Sequence, residues 1–173
     1  MQIRKAVPSD FDPVSELYDK VTLYLEQHIN YPHWTHKVYP CSDTVREGLD
    51  TDSLFVCSED NKITGVFLLN TDPAGDYSAG EWSRDIADGE YMIIHALAVD
   101  PELSRKGTGK AMVEFCVNYA KEKGFKAIRL DAVPENLPAR RMYESLGFLF
   151  AGEKDLKRYE TGIPLFALYE YNF

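Results

Sequence analysis
Between positions 10 and 27 the apolar residues fall at Val14, Leu17, Tyr18, Val21 and Leu25. Intervals of three and four place them on one helical face, which predicts an amphipathic helix there. The preceding run QIRKAV alternates and reads as a first strand. After the helix the pattern breaks in HINYPHWTHKVYP, an irregular segment with two prolines and many rings. A short helix carrying Val45 and Leu49 follows, with Asp43 as its expected N-cap. SLFVCS and ITGVFLLN read as two strands joined by a hairpin across EDNK. A long polar connection from Thr71 to Gly89, holding Trp82, closes the first half.

The second half is more regular. YMIIHALAV is a nearly continuous apolar run, as expected of a buried strand. From Thr108 to Lys123, Met112, Phe115, Cys116 and Tyr119 recur at helical spacing, and Gly124 is the expected stop. AIRLDAV is the next strand. Ala139, Met142, Tyr143 and Leu146 mark a short helix over 136–146, ended by Gly147. Phe148 begins another strand, and LFALYEYNF is the last. The predicted order is β-α-α-β-β-β-α-β-α-β-β: an α/β fold with a mixed central sheet flanked by helices, in a single domain over 1–173.

Composition narrows the function. A chain of 173 residues, 45% hydrophobic, is long enough to bury a sizeable core. YMIIHALAV is too short to span a bilayer, so no membrane association is expected. The start MQIRKAVPSD lacks the plan of a signal peptide. Cys41, Cys57 and Cys116 are widely spaced and odd in number, forming neither a metal-ligand pattern nor a disulfide framework. The expectation is a cytoplasmic protein without a metal. A net charge of −9 argues against nucleic acid as a partner and is compatible with a cationic small substrate.

The candidate chemistry centres on LSRKGTGKAM, residues 103–112. A strand, a basic glycine loop and a helix present free backbone amides to an anion at the helix start. The loop is not a P-loop, which would require glycine at Ser104 and Ser or Thr at Ala111. A dinucleotide fingerprint fails as well, because its third glycine falls on Met112.

LAVDPELSRKGTGKAM followed by NLPARRMYESLGF resembles the GNAT superfamily of acetyl-CoA-dependent N-acetyltransferases. Gly107 and Gly109 match the glycines of its pyrophosphate signature. Asn136, Ala139, Tyr143, Gly147 and Phe148 match its second conserved segment. One departure is that Ser104 stands where the family usually has Gln or Arg, with Arg105 one place later. The resemblance implies acetyl-CoA as cofactor, with the pantetheine arm along the backbone of Leu97 and Val99. It puts the pyrophosphate against Arg105, Lys106, Gly107, Thr108, Gly109 and Lys110, with Asn136 as a further cofactor contact. Asn136 also suits a helix cap ahead of Pro138. Homodimerisation is a further implication of the family likeness.

Acetyl transfer to an amine requires a neutral amine, donors for the carbonyl oxygen and stabilisation of the departing thiolate. The resemblance assigns the last task to Tyr143, although its apolar helix face also suits core packing. His95, read on the alternation face of Ile93 and Leu97, is the candidate base, with Glu90 and Glu81 as alternatives. Tyr31, Trp34 and Tyr39 after the first helix, joined by Trp82, are candidate substrate residues. The expectation is direct transfer of acetyl to a primary amine of a small molecule. A protein or peptide acceptor and a catalytically inactive acyl-CoA sensor are the competing readings.

Overall fold
A computed structural model describes residues 1–103 and 107–173. Among them, seven strands form one sheet: β1 (Gln2–Lys5), β2 (Leu54–Glu59), β3 (Lys62–Asn70), β4 (Tyr91–Val99), β5 (Ala127–Ala132), β6 (Leu149–Lys154) and β7 (Phe166–Asn172). Their order across the sheet is β1-β2-β3-β4-β5-β7-β6. β4 and β5 run parallel, whereas β1–β2, β2–β3, β5–β7 and β6–β7 are antiparallel, which makes the sheet mixed as expected. The helices are α1 (Phe11–Glu26), α2 (Ser42–Asp50), α3 (Thr108–Glu122) and α4 (Leu137–Ser145). The β2–β3 turn uses Asp60 and Asn61, both with left-handed backbone (φ 49 and 61). That is the conformation a two-residue hairpin needs.

One boundary differs from the sequence reading. The N-cap of α2 is Cys41, not Asp43. Thr44 Oγ1 accepts the Cys41 amide at 3.2 Å, and the Cys41 carbonyl accepts from the Val45 amide. Asp43 therefore lies in the first turn, where a carboxylate favours the positive end of the helix dipole.

The chain groups into two compact units, residues 1–69 with 95–115 and residues 70–94 with 116–173. In the first unit Val14, Leu17, Tyr18 and Val21 of α1 pack with Val45, with Leu54, Val56, Val66 and Leu68 of β2 and β3, and with Ala96 and Ala98. Burying each large apolar side chain contributes about 1.5–3 kcal/mol, so this stripe holds α1 in place. Phe55 and Phe67 stack at 5.3 Å, and Phe115 of α3 meets both rings. Gly65 leaves room for Met112: a Cβ there would come within 2.6 Å of its sulfur.

In the second unit Tyr77, Ile86, Tyr91, Ile93, Leu156, Phe166 and Leu168 form the core. Asp131 of β5 receives two hydrogen bonds from the Arg158 guanidinium, both at 2.9 Å, and one from the Tyr77 hydroxyl at 2.7 Å. Arg158 also donates to the carbonyls of Pro73 and Ala74. One carboxylate thus gathers the β3–β4 and β6–β7 connections. The two side chains are only 11% and 16% exposed, so the pair behaves as a buried one. Arg158→Ala leaves the Asp131 charge uncompensated and is expected to cost about 3–5 kcal/mol in urea unfolding. A loss below about 1 kcal/mol would place the pair with ordinary surface bridges.

Candidate functional site
β4 is not regular throughout. Ala96, in its second half, has φ 46, a left-handed conformation uncommon for a residue with a Cβ. Burial alternates from His95 to Val99, whereas Ile93 and Ile94 before them are both buried. Ala96 and Ala98 are buried, while His95, Leu97 and Val99 are each half-buried. The Ala96 carbonyl accepts a hydrogen bond at 2.9 Å from the hydroxyl of Tyr18, a fully buried residue of α1. Burial, with a smaller contribution from Tyr39, pushes the Tyr18 phenol well above its ordinary value, so it remains a donor.

Beyond β4 the chain turns at Asp100, whose amide donates to the Thr64 carbonyl and whose carboxylate pairs with Lys20 of α1 at 2.8 Å. The Glu102 amide donates back to the same carboxylate. This anchors the entrance to the glycine segment. Arg105 and Lys106, expected at the pyrophosphate, lie outside the described residues, as does Ser104. Gly107 has φ 87 and its carbonyl accepts from the Ala111 amide, so the first glycine is the residue that opens α3. Thr108, Gly109 and Lys110 form the first turn, whose amides have no partner within the helix. Among the described residues nothing lies within 4 Å of the position a Cβ would take on Gly107. A left-handed glycine, next to first-turn amides that have no partner within the helix and to the half-buried end of β4, fits a phosphate-bearing cofactor.

In the second unit Asn136 caps α4, its Oδ1 accepting the Ala139 amide at 3.3 Å. The cap engages the carbonyl end of the Asn136 amide. Tyr143 is buried against Phe148 and Tyr169, with ring centroids at 5.8 and 6.0 Å. Among the described residues its hydroxyl has no hydrogen-bond partner. Desolvation first, then the charges of Asp131, Cys116 and Tyr169, push its phenol well above the ordinary value. Cys116 is fully buried and its thiol is likewise raised by burial, so it is not a ready nucleophile.

The remaining candidates separate by what they touch. Glu90 pairs with Lys126, whose hydrogen bond holds the carboxyl below its usual value and weakens it as a base. Glu81 pairs with Lys154 at 2.6 Å. Trp34 is half-buried against the core of the first unit, meets Tyr39 edge-on at 6.3 Å and is held by two hydrogen bonds with Asn30. Tyr31 is half-buried in the same segment. Trp82, in the second unit, donates its indole N–H to the Tyr77 carbonyl at 2.7 Å. Its ring lies 4.1 Å from the Arg129 guanidinium, which has Tyr91 at the same distance. The contacts of Trp82 are therefore those of packing. Sequence reasoning missed Ala96, Tyr18 and the Asp131 cluster; a tyrosine within the apolar stripe of α1 was the one available signal.

Residues 15–148 match the Acetyltransferase (GNAT) family. The chain belongs to that family. It is 27% identical over 150 residues to an uncharacterized N-acetyltransferase of Methanocaldococcus jannaschii, covering 84% of this chain and 59% of that protein. It is 33% identical over 89 residues to a mycothiol acetyltransferase of an Arthrobacter species, covering 47% of this chain and 27% of the relative. The chain thus spans less than two thirds of the length of either relative. A crystal structure of a GNAT-family acetyltransferase from Streptococcus agalactiae shares the fold, with a TM-score of 0.80 at 17% identity. That likeness covers 99% of this chain and 95% of the other.

Because a Cβ on Gly107 would meet nothing among the described residues, its substitution reports on backbone strain. Gly107→Ala is expected to lower stability by about 1–2 kcal/mol in urea unfolding. An unchanged midpoint would show that the segment relaxes out of its left-handed conformation.

Proposed function
We propose that the chain is an acetyl-CoA-dependent N-acetyltransferase acting directly on the primary amine of a small molecule. The observation that carries the reading is the succession of a left-handed turn in β4, an anchored exit at Asp100 and a glycine-opened helix. The backbone of Leu97 and Val99 holds the pantetheine arm as an added strand would. The first-turn amides of α3 at Thr108, Gly109 and Lys110 hold the pyrophosphate, with Arg105 and Lys106 supplying charge and Asn136 a further contact. Bound acetyl-CoA supplies an activated thioester carbonyl.

The protein's own groups do the rest. The Leu97 amide, turned by Ala96, is a donor for negative charge developing on the thioester oxygen. Tyr143 keeps its proton throughout the ordinary pH range, because burial raises its pKa. A phenol so raised is a weaker acid than a thiol, which favours hydrogen-bond donation to the departing sulfur over full proton transfer. His95 takes the amine proton, directly or through water, while Glu90 and Glu81 stay in their ion pairs. The buried Cys116 thiol supports direct transfer rather than a covalent relay.

The net charge of −9 suits a cationic amine, and the likeness to a mycothiol acetyltransferase supports a small-molecule acceptor. Tyr31 and Trp34 are candidates to border it, with Trp82 retained as a weaker one. Free Cys41, Cys57 and Cys116 are compatible with a reducing cytoplasm.

Calorimetric titration with acetyl-CoA, desulfo-CoA and free pantetheine tests the cofactor assignment. Acetyl-CoA and desulfo-CoA are expected to bind and pantetheine to bind far more weakly; no binding of any of them overturns the reading. CoA release with free amines but not with peptides is expected, and the reverse pattern assigns a protein acceptor. Binding without CoA release to any acceptor leaves a sensor. Tyr143→Phe is expected to lower kcat about 100-fold with an unchanged acetyl-CoA Kd. His95→Ala is expected to lose the acidic limb of the kcat/KM profile, and a profile identical to the wild type removes His95 as base.

A further inference from the structure
The α1 stripe that meets the sheet is apolar at Val14, Leu17 and Val21, yet position 18 carries a hydroxyl. A phenylalanine there would fill nearly the same space, so packing alone does not account for the oxygen. Its hydroxyl donates a hydrogen bond at 2.9 Å to the carbonyl of Ala96 in β4. Ala96 is the one β4 residue with positive φ. Such a conformation persists in a residue with a Cβ only when its surroundings hold it. In a trans peptide the carbonyl and the following N–H point in opposite directions. With the Ala96 carbonyl fixed on Tyr18, the Leu97 amide is directed away from that hydroxyl.

We propose that Tyr18 is a positioning residue: its hydroxyl holds the Ala96–Leu97 peptide in the orientation that presents the Leu97 amide to the acyl group. This rests on the acetyltransferase reading above. Tyr18 touches neither substrate nor cofactor and acts through one peptide plane. The same plane follows directly after His95, so its loss also disturbs the backbone that carries the candidate base.

Tyr18→Phe keeps the ring and removes the donor. The expected result is a fall in kcat of about tenfold or more with the acetyl-CoA Kd nearly unchanged. The Ala96 Cα and Cβ resonances are expected to move from left-handed toward extended values, and the Leu97 amide resonance with them. Val14→Ala, a packing change on the same helix face, is expected to lower Tm while leaving kcat and those resonances in place. A wild-type kcat in active Tyr18→Phe protein, or unmoved Ala96 and Leu97 resonances, overturns the proposal. So does an equal loss of kcat in Val14→Ala. Wild-type protein that neither binds nor transfers acetyl from acetyl-CoA would instead sink the acetyltransferase reading, and the resonances would still report whether Tyr18 holds the peptide. If Tyr18→Phe does not fold, 3-fluorotyrosine at position 18 preserves shape and strengthens the donor. An altered kcat at constant Tm is then expected, and an unaltered one counts against the proposal.

Discussion
The buried carbonyl of Ala96 governs how β4 behaves, and β4 lies at the middle of the sheet order. A peptide group withdrawn from water must be hydrogen-bonded, or the desolvation cost of about 1–3 kcal/mol falls on the fold. Here α1 supplies the partner, so the helix that packs the first unit also holds a carbonyl of the strand. The apolar stripe around Tyr18 fixes where the hydroxyl sits. Core packing and backbone direction are therefore coupled through one residue. The anchored turn at Asp100 extends the same arrangement, since its partner Lys20 lies two positions further along α1.

The residues assigned to the cofactor are mostly backbone groups, and this explains their undemanding side chains. Leu97, Val99, Thr108 and Gly109 need only leave an amide or carbonyl accessible. Gly107 contributes a conformation rather than a contact. The titratable side chains considered for the chemistry are set apart by their environments. Tyr143 is kept protonated by burial, Glu90 is weakened as a base by Lys126, and Cys116 is silenced by the apolar face of α3. Burial thus keeps Tyr143 and Cys116 protonated, while an ion pair keeps Glu90 charged.

Much of this was legible in the sequence because periodicity and punctuation are local. The stripe of α1, the hairpin at Asp60 and Asn61, and the stops at Gly124 and Gly147 all follow from spacing and conformational preference. The α2 cap was misread because Asp43 is the stronger capping residue in isolation, whereas Thr44 bonds back to Cys41 in the folded chain. Ala96 was illegible for a different reason. Alanine adopts nearly every regular conformation, so IIHALAV gives no sign of a left-handed residue. The Asp131 cluster joins positions 54 and 27 residues away from it, beyond the reach of any local pattern.

The Asp131 cluster also constrains how this protein can be remodelled. Both connections that converge on it carry exposed residues, but their anchors are not independent. A loop transplanted from a relative without Tyr77 would weaken the seat of Arg158, and one without Arg158 would strand the acid inside. The two connections therefore form a single module for recombination. Their boundaries are best drawn outside Pro73 and Tyr77 on one side and Arg158 on the other, with Asp131 inherited alongside them.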